Sequence, residues 1–358
     1  MIFAPLAFLA LAAGALASPM KRESGLVVSV TAKDAKVQSI ADLALSATVK
    51  NTGSEDVKIL NFATIFDADR LTRSFTITKD GAEVPFTGIA MNVNLELVDD
   101  SAFTVIPAGE SITVEHTNLA GIYDFESAGT GAFKFEPVTV FQVIDEASFA
   151  DAKVDQLVEL DSTSTTVSIE INDVAKRDIH EKRAVTTCSS NASRASFITA
   201  SYNESKALAR IAASWIASNS GSSLYTAYWG TNSASTIQSR FTAVANENSS
   251  SRTLSCTDTY GVCTGGVIAY TVIATTNIYY CSIFFNEVPS TSLCSGTTVA
   301  SRNVRGGTTL HEMTHAISGT TDVTYGCAAD QALSVANKLR NADNYNCFST
   351  QVYANTQC

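Results

Sequence analysis

The chain has 358 residues, a formal net charge of −11 and only 16% charged residues. Its lysines and arginines are too sparse and scattered to build a nucleic-acid face. Beyond the amino-terminal stretch it has no apolar run of the roughly 18 residues or more that a membrane span needs. The length fits two or three domains.

Residues 1–17 are almost wholly apolar, and Ala15-Leu16-Ala17 followed by Ser18-Pro19 fits a small-x-small cleavage site. This predicts a secretory signal peptide and an extracellular destination. Residues 18–183 contain no cysteine and carry 15 Lys+Arg against 27 Asp+Glu, a net of −12. β-favouring runs recur at Leu26–Thr31, Leu43–Val49, Ser74–Thr78, Ser111–Glu115, Thr139–Val143 and Thr165–Ile171, punctuated by turns such as Asn51-Thr52-Gly53 and Asp80-Gly81. They predict a β-rich domain, with a sandwich as the candidate architecture and no motif for chemistry. His116 reads as a surface strand residue, not a ligand.

This segment ends in two dibasic pairs, Lys176-Arg177 and Lys182-Arg183, within a polar stretch. They read as exposed processing sites for a dibasic-specific protease. Cleavage between Arg183 and Ala184 would make 18–183 a propeptide and release 184–358. That product has 9 Lys+Arg against 8 Asp+Glu and holds all eight cysteines. An even count in a secreted domain predicts disulfides, and eight cysteines allow about 105 pairings among which spacing does not choose. Asn191, Asn203 and Asn248 head glycosylation sequons.

Within 184–358, Ala207, Leu208, Ile211, Ala212, Trp215 and Ile216 recur at helical spacing, and a second helix is expected over Ala234–Val244. Val267–Ala274 and Ile278–Phe285 read as two strands joined near Thr275-Thr276-Asn277. A helix is expected over Ala328–Arg340 and a shorter one from Ala342.

Between these lies His311-Glu312-Met313-Thr314-His315. Residues four apart share a helix face, so the two imidazoles can meet one ion while Glu312 reaches a water on it. Leu310, Met313 and Ile317 are apolar at helical spacing, Thr308 and Thr309 offer capping hydroxyls, and Gly319 is a plausible stop. The bland alternative is a helix with two surface histidines and a glutamate. The chain's four histidines are His116, His180, His311 and His315, so 184–358 holds only the motif pair. A catalytic zinc wants three protein ligands and an open position, so the third ligand falls to Asp, Glu or Cys. The acids downstream are Asp322, Asp330 and Asp343. Asp322 sits in the loop Gly319–Gly326 just past the helix and can fold back, whereas the other two fall in later helices.

HExxH followed by Gly319-Thr320-x-Asp322-x-x-Tyr325-Gly326 resembles the deuterolysins, or fungal neutral protease 2, of the aspzincin metallopeptidases. Supporting matches are Cys256 with Tyr260-Gly261-x-Cys263, Thr308-Thr309-Leu310, and Asn341-Ala342-Asp343-x-Tyr345. One departure is the short connection of six residues between His315 and Asp322. The resemblance implies one Zn²⁺ per chain on His311, His315 and Asp322, with Glu312 as base and Tyr325 assisting the transition state. It implies a zincin-like α+β domain over 184–358, mainly helical with a small β element. It implies polypeptide substrates, with basic proteins such as histones and protamine favoured, and it matches a propeptide over 18–183, whose acidic, cysteine-free character leads to the expectation of an inhibitor or folding aid. It also implies the disulfides Cys188–Cys256, Cys263–Cys281 and Cys294–Cys358, with Cys327–Cys347 left as the fourth. The rival readings are a secreted glycoprotein with a structural or vestigial zinc site, and an amidase acting on cell-wall peptides.

Overall fold

Strand Leu26–Ala32 shows the period-two signature of a half-buried strand: Leu26, Val28 and Val30 are buried and their neighbours are not. It lies in a four-stranded sheet ordered Thr163–Ser164, Leu26–Ala32, Leu45–Asn51, Ser111–His116. A second sheet runs Lys36–Val37, Val167–Ile171, Gly131–Pro137, Phe75–Lys79, Ala82–Glu83. Inward side chains of both, among them Val28, Ala47, Ile77, Phe133, Phe135 and Ile169, share one apolar core. A third sheet joins Leu157–Asp161, Val140–Ile144, Val57–Leu60 and Phe103–Ile106. This computed structural model describes residues 25–144, 157–175, 188 and 191–358. The expected signal peptide, both dibasic pairs and the Arg183–Ala184 bond lie outside the described residues.

His116 is not on the surface as expected. It is 1% exposed and packs edge-on against Phe75 at 4.9 Å. Its strand alternates in burial, and position 116, opposite Leu45, falls on the inner face. Burial pushes its imidazole down to about 4.

The second half begins with the long helix Ala192–Asn219, whose cap Asn191 accepts from the Arg194 N–H. Helix Ala234–Ala245 turns Ile237, Phe241 and Val244 fully inward. With Trp229, Tyr345 and Phe348 these helices build an aromatic cluster. Helix Arg305–Ser318, which carries the motif, packs between Ala192–Asn219, the carboxy-terminal helix Ala342–Gln357 and strand Val267–Val272. Close packing needs Gly307, where a Cβ would come within 2.2 Å of the Asn346 amide oxygen. The single helix expected over 328–340 is two, Cys327–Ala332 and Val335–Arg340. Ser334 breaks it, because its hydroxyl caps the second piece by accepting from the Asn337 N–H. The expected short final helix instead runs sixteen residues.

The expectation of a mainly helical fold with a small β element does not hold. The described residues form a mixed α/β molecule with four multi-stranded sheets. Three of those sheets are built from strands within residues 26–171, and the fourth takes an edge that sequence reading missed, Ile89–Val93. It pairs antiparallel with Val267–Val272 and completes a sheet ordered Leu254–Ser255, Asn277–Tyr280, Val267–Val272, Ile89–Val93. The amino-terminal half thus supplies the edge of the sheet beside the motif helix.

Candidate metal centre

Helix Arg305–Ser318 buries Leu310 and Met313 in the core and ends at Gly319, whose φ of 62° lies in the left-handed region glycine adopts freely. Thr308 and Thr309 are not caps, since the helix starts before them. Their hydroxyls donate instead to Glu287 Oε1 at 2.8 Å and to Ser201 Oγ at 2.9 Å.

Past Gly319 the chain doubles back. Thr321 forms an isolated bridge to Asn341, donating its N–H to the Arg340 carbonyl at 2.7 Å and accepting from the Ala342 N–H at 3.0 Å. Asn341 is fully buried, and its Oδ1 accepts from the N–H groups of Val323 at 2.9 Å and Thr324 at 3.2 Å. Its Nδ2 donates to Asp330 Oδ1 and Asn344 Oδ1, both at 2.9 Å. This clamp returns Asp322 to the histidines. Asp322 Oδ1 lies 2.9 Å from His311 Nε2 and 3.2 Å from His315 Nε2.

These donors fit zinc. Tetrahedral ligands at zinc's usual bond lengths stand about 3.3 Å apart. Here a ligand atom from each of His311, His315 and Asp322 lies within 4.8 Å of the others. His315 Nδ1 is 2.9 Å from the Thr320 carbonyl, to which it donates, so Nε2 presents its lone pair; that buried Nε2 has no hydrogen-bond partner. His311 Nδ1 lies 3.5 Å from Asp343 Oδ1, a charge contact without hydrogen-bond geometry. Glu312 is fully buried, with Oε2 accepting from the Thr271 hydroxyl at 2.6 Å and Oε1 unpartnered.

The electrostatics also favour a cation. Burial raises Glu312 to about 7, against the pull of His311 and His315. Burial likewise penalises a charged His311, but the carboxylates of Asp322 and Asp343 outweigh it and push that imidazole up to about 10. Burial would raise Asp322, yet the two imidazoles hold it below the usual carboxylate range. Three carboxylates thus surround two imidazoles in a buried pocket, with Arg302 as the neighbouring cation, 2.8 Å from Asp343.

Tyr325 is buried, its ring lies 6.3 Å from that of His311, and its hydroxyl donates to the Met91 carbonyl at 2.8 Å. Burial pushes its phenol well above the usual range, so it stays a donor. Asp330 and Asp343 do not join the ligand set. Asp330 faces Asn341, and Asp343 lies behind His311 and accepts from the Gly326 N–H at 2.7 Å. The structure pairs Cys188 with Cys256, Cys263 with Cys281, Cys294 with Cys358 and Cys327 with Cys347. Cys327 is therefore no thiolate ligand. Asn191, Asn203 and Asn248 are exposed. Sequence reasoning missed Thr271, Arg302 and the role of Asn341. Only the triplet Asn341-Ala342-Asp343 carried a signal.

All of residues 1–358 match the family described as Deuterolysin metalloprotease (M35). The chain is 31% identical over 354 residues to a neutral protease 2 homolog of Phaeosphaeria nodorum, covering 94% of each. It is 31% identical over 342 residues to one of Aspergillus oryzae, covering 90% of this chain and 91% of that one. Among solved structures it is similar to a zinc peptidase from Grifola frondosa, with 25% identity and a TM-score of 0.37, covering 45% of this chain and 96% of that one.

Proposed function

The chain belongs to the deuterolysin metalloprotease family, and we propose that it is a secreted zinc endopeptidase that holds one ion on His311, His315 and Asp322. The observation that carries this reading is the convergence of those three ligand atoms beside a buried glutamate. Zinc, when bound, supplies a polarised water and a Lewis acid for the scissile carbonyl. Thr271 anchors Glu312 by Oε2 and leaves Oε1 to take the water's proton and return it to the leaving amine. The Tyr325 hydroxyl is assigned the role of donor to the oxyanion, a reading supported by its donation here to the Met91 carbonyl.

Residues 1–17 are the signal peptide, 18–183 a propeptide that inhibits or aids folding, and 184–358 the enzyme. A dibasic-specific protease cuts between Arg183 and Ala184. The composition break supports this division, since all eight cysteines lie after it. Four disulfides support an oxidising, extracellular destination, where Asn191, Asn203 and Asn248 are the candidate glycosylation sites. Substrates are polypeptides, and the preference for basic proteins rests on the resemblance alone.

The test is metal analysis and protein hydrolysis on chain cut ahead of Ala184, beside a Glu312→Gln variant. Both should hold one zinc, and the variant should lose about 10²- to 10⁴-fold in rate. A variant within about tenfold of the parent would remove Glu312 from the role of base, and a product that takes up no zinc would remove the site.

A further inference from the structure

We infer that Ile89–Val93 is a tethered occupant of the lane along the edge of Val267–Val272 and must leave before substrate enters, and that Arg302 grips the backbone of the polypeptide lying there. This deepens the endopeptidase reading and rests on it.

The register places the occupant across the metal residues. The Ile273 N–H donates to the Gly88 carbonyl at 2.9 Å. Bonded and non-bonded pairs alternate in an antiparallel ladder, so Ala90–Thr271 is a bonded pair and Met91–Tyr270 is not. The N–H and carbonyl of Met91 therefore point away from Val267–Val272. The N–H donates to Asp322 Oδ2 at 2.8 Å, and the carbonyl accepts from the Tyr325 hydroxyl at 2.8 Å. One peptide residue thus spans a metal-ligand carboxylate and the tyrosine assigned to the oxyanion. Ala90 stands opposite Thr271, whose hydroxyl holds Glu312. A backbone in this lane passes over both the ligands and the base.

Arg302 grips the same strand. Its Nη1 donates to the Val93 carbonyl at 3.0 Å, and its Nη2 donates to Asn92 Oδ1 at 2.9 Å and Asp343 Oδ1 at 2.8 Å. With Ile89–Val93 gone, only the Asp343 contact among these remains, and the freed N–H groups face the lane. The bond to Val93 reads backbone, so any incoming strand offers it an equivalent carbonyl. Arg302 holds a left-handed φ of 49°, which side-chain-bearing residues adopt at a cost and which persists where its surroundings enforce it.

The occupant also fits chemically. Within the acidic segment 18–183, residues 84–95 carry no charge, which suits a strand lying beside Asp322, Asp343 and Glu312. All five residues of Ile89–Val93 are buried, with Ile89, Met91 and Val93 clustered with Tyr270, Val272, Tyr279 and Tyr325. Ala90 and Asn92 occupy the opposite face. The lane therefore suits an uncharged extended segment with alternate apolar side chains.

The test uses full-length chain carrying Glu312→Gln, cut between Arg183 and Ala184 and freed of its amino-terminal part. It is titrated with a synthetic peptide of residues 86–97 by calorimetry, with zinc bound and after chelation. The peptide should bind, and N-methylation at Met91 or Asn92→Ala in the peptide should each weaken it about tenfold. Arg302→Lys in the protein keeps a charge beside Asp343 but loses the fork, and should weaken binding by about as much with zinc content unchanged. The unmodified peptide should also inhibit wild-type product competitively. Absence of binding, or binding indifferent to both peptide changes, overturns the inference even if the protein variant fails to fold. A product that cleaves protein but ignores the peptide sinks the lane alone. A product that binds the peptide in this residue-dependent way but cleaves no protein supports the lane and overturns the endopeptidase reading.

Discussion

Asn341 gives the most demanding test of how Asp322, the proposed third ligand, is delivered. Its amide makes four hydrogen bonds in a fully buried position, two to the loop that carries Asp322 and two to Asp330 and Asn344. Asn341→Ala strands the Thr324 N–H and the oxygens of Asp330 and Asn344, while the Val323 N–H is half-buried and can reach water. Leaving each buried group unmade costs about 1–3 kcal/mol. Asn344 keeps the bonds its Nδ2 donates to the carbonyls of Tyr228 and Asp330, but its Oδ1 loses its donor, so the three stranded groups put the loss at about 3–9 kcal/mol in all. Asp322 would then have to be ordered on metal binding, and outer-shell losses of this kind cost about 10- to 100-fold in affinity. Urea unfolding measures the first quantity and competition with a chromogenic chelator the second. A variant destabilised by less than about 1 kcal/mol, with zinc affinity within about threefold of the parent, would refute the clamp.

Two further outcomes are expected. Replacing Cys327 and Cys347 together by Ala opens a bridge of sequence separation 20, and should lower stability by about 3 kcal/mol in the chain-entropy model; thermal unfolding showing no loss would mean the bridge adds nothing to the loop. Burial pushes the His116 imidazole down to about 4 in the folded chain, from the ordinary histidine value of about 6.5. The unfolded chain therefore binds more protons between those values, and stability is full above about pH 6.5 and lost as pH falls towards 4. The loss amounts to about 3 kcal/mol at most, and His116→Phe should flatten the unfolding profile in that window; an unchanged acid slope would remove His116 as its source.

The parts of the site that were legible are those written in local spacing. His311 and His315 meet because a helix repeats every 3.6 residues, and Asp322 follows within one loop that begins at a helix-stopping glycine. Eight cysteines in one half signalled bridges, but their pairing needed more than spacing. Ser334 was misread because a serine that caps a helix and one that rides on its surface look alike in sequence.

What stayed illegible joins positions far apart in the chain. Met91 meets Asp322 across 231 residues, and Arg302 meets Asn92 across 210. Each contact takes one residue from each side, and many other residues would satisfy the same polar atom, so neither side carries a pattern. The strand itself was hidden for a second reason. Ile89–Val93 is buried on both faces, so it lacks the alternation that exposed the sheets of its own half. The missed edge belonged to the other half's sheet, so the strands read within 184–358 gave only part of that sheet. One trace was visible, the uncharged run 84–95 within an otherwise acidic segment. A segment with a net charge of −12 that must leave one strand against a carboxylate-rich centre has a physical reason to keep that strand neutral. The uncharged run thus marks the contact between the halves.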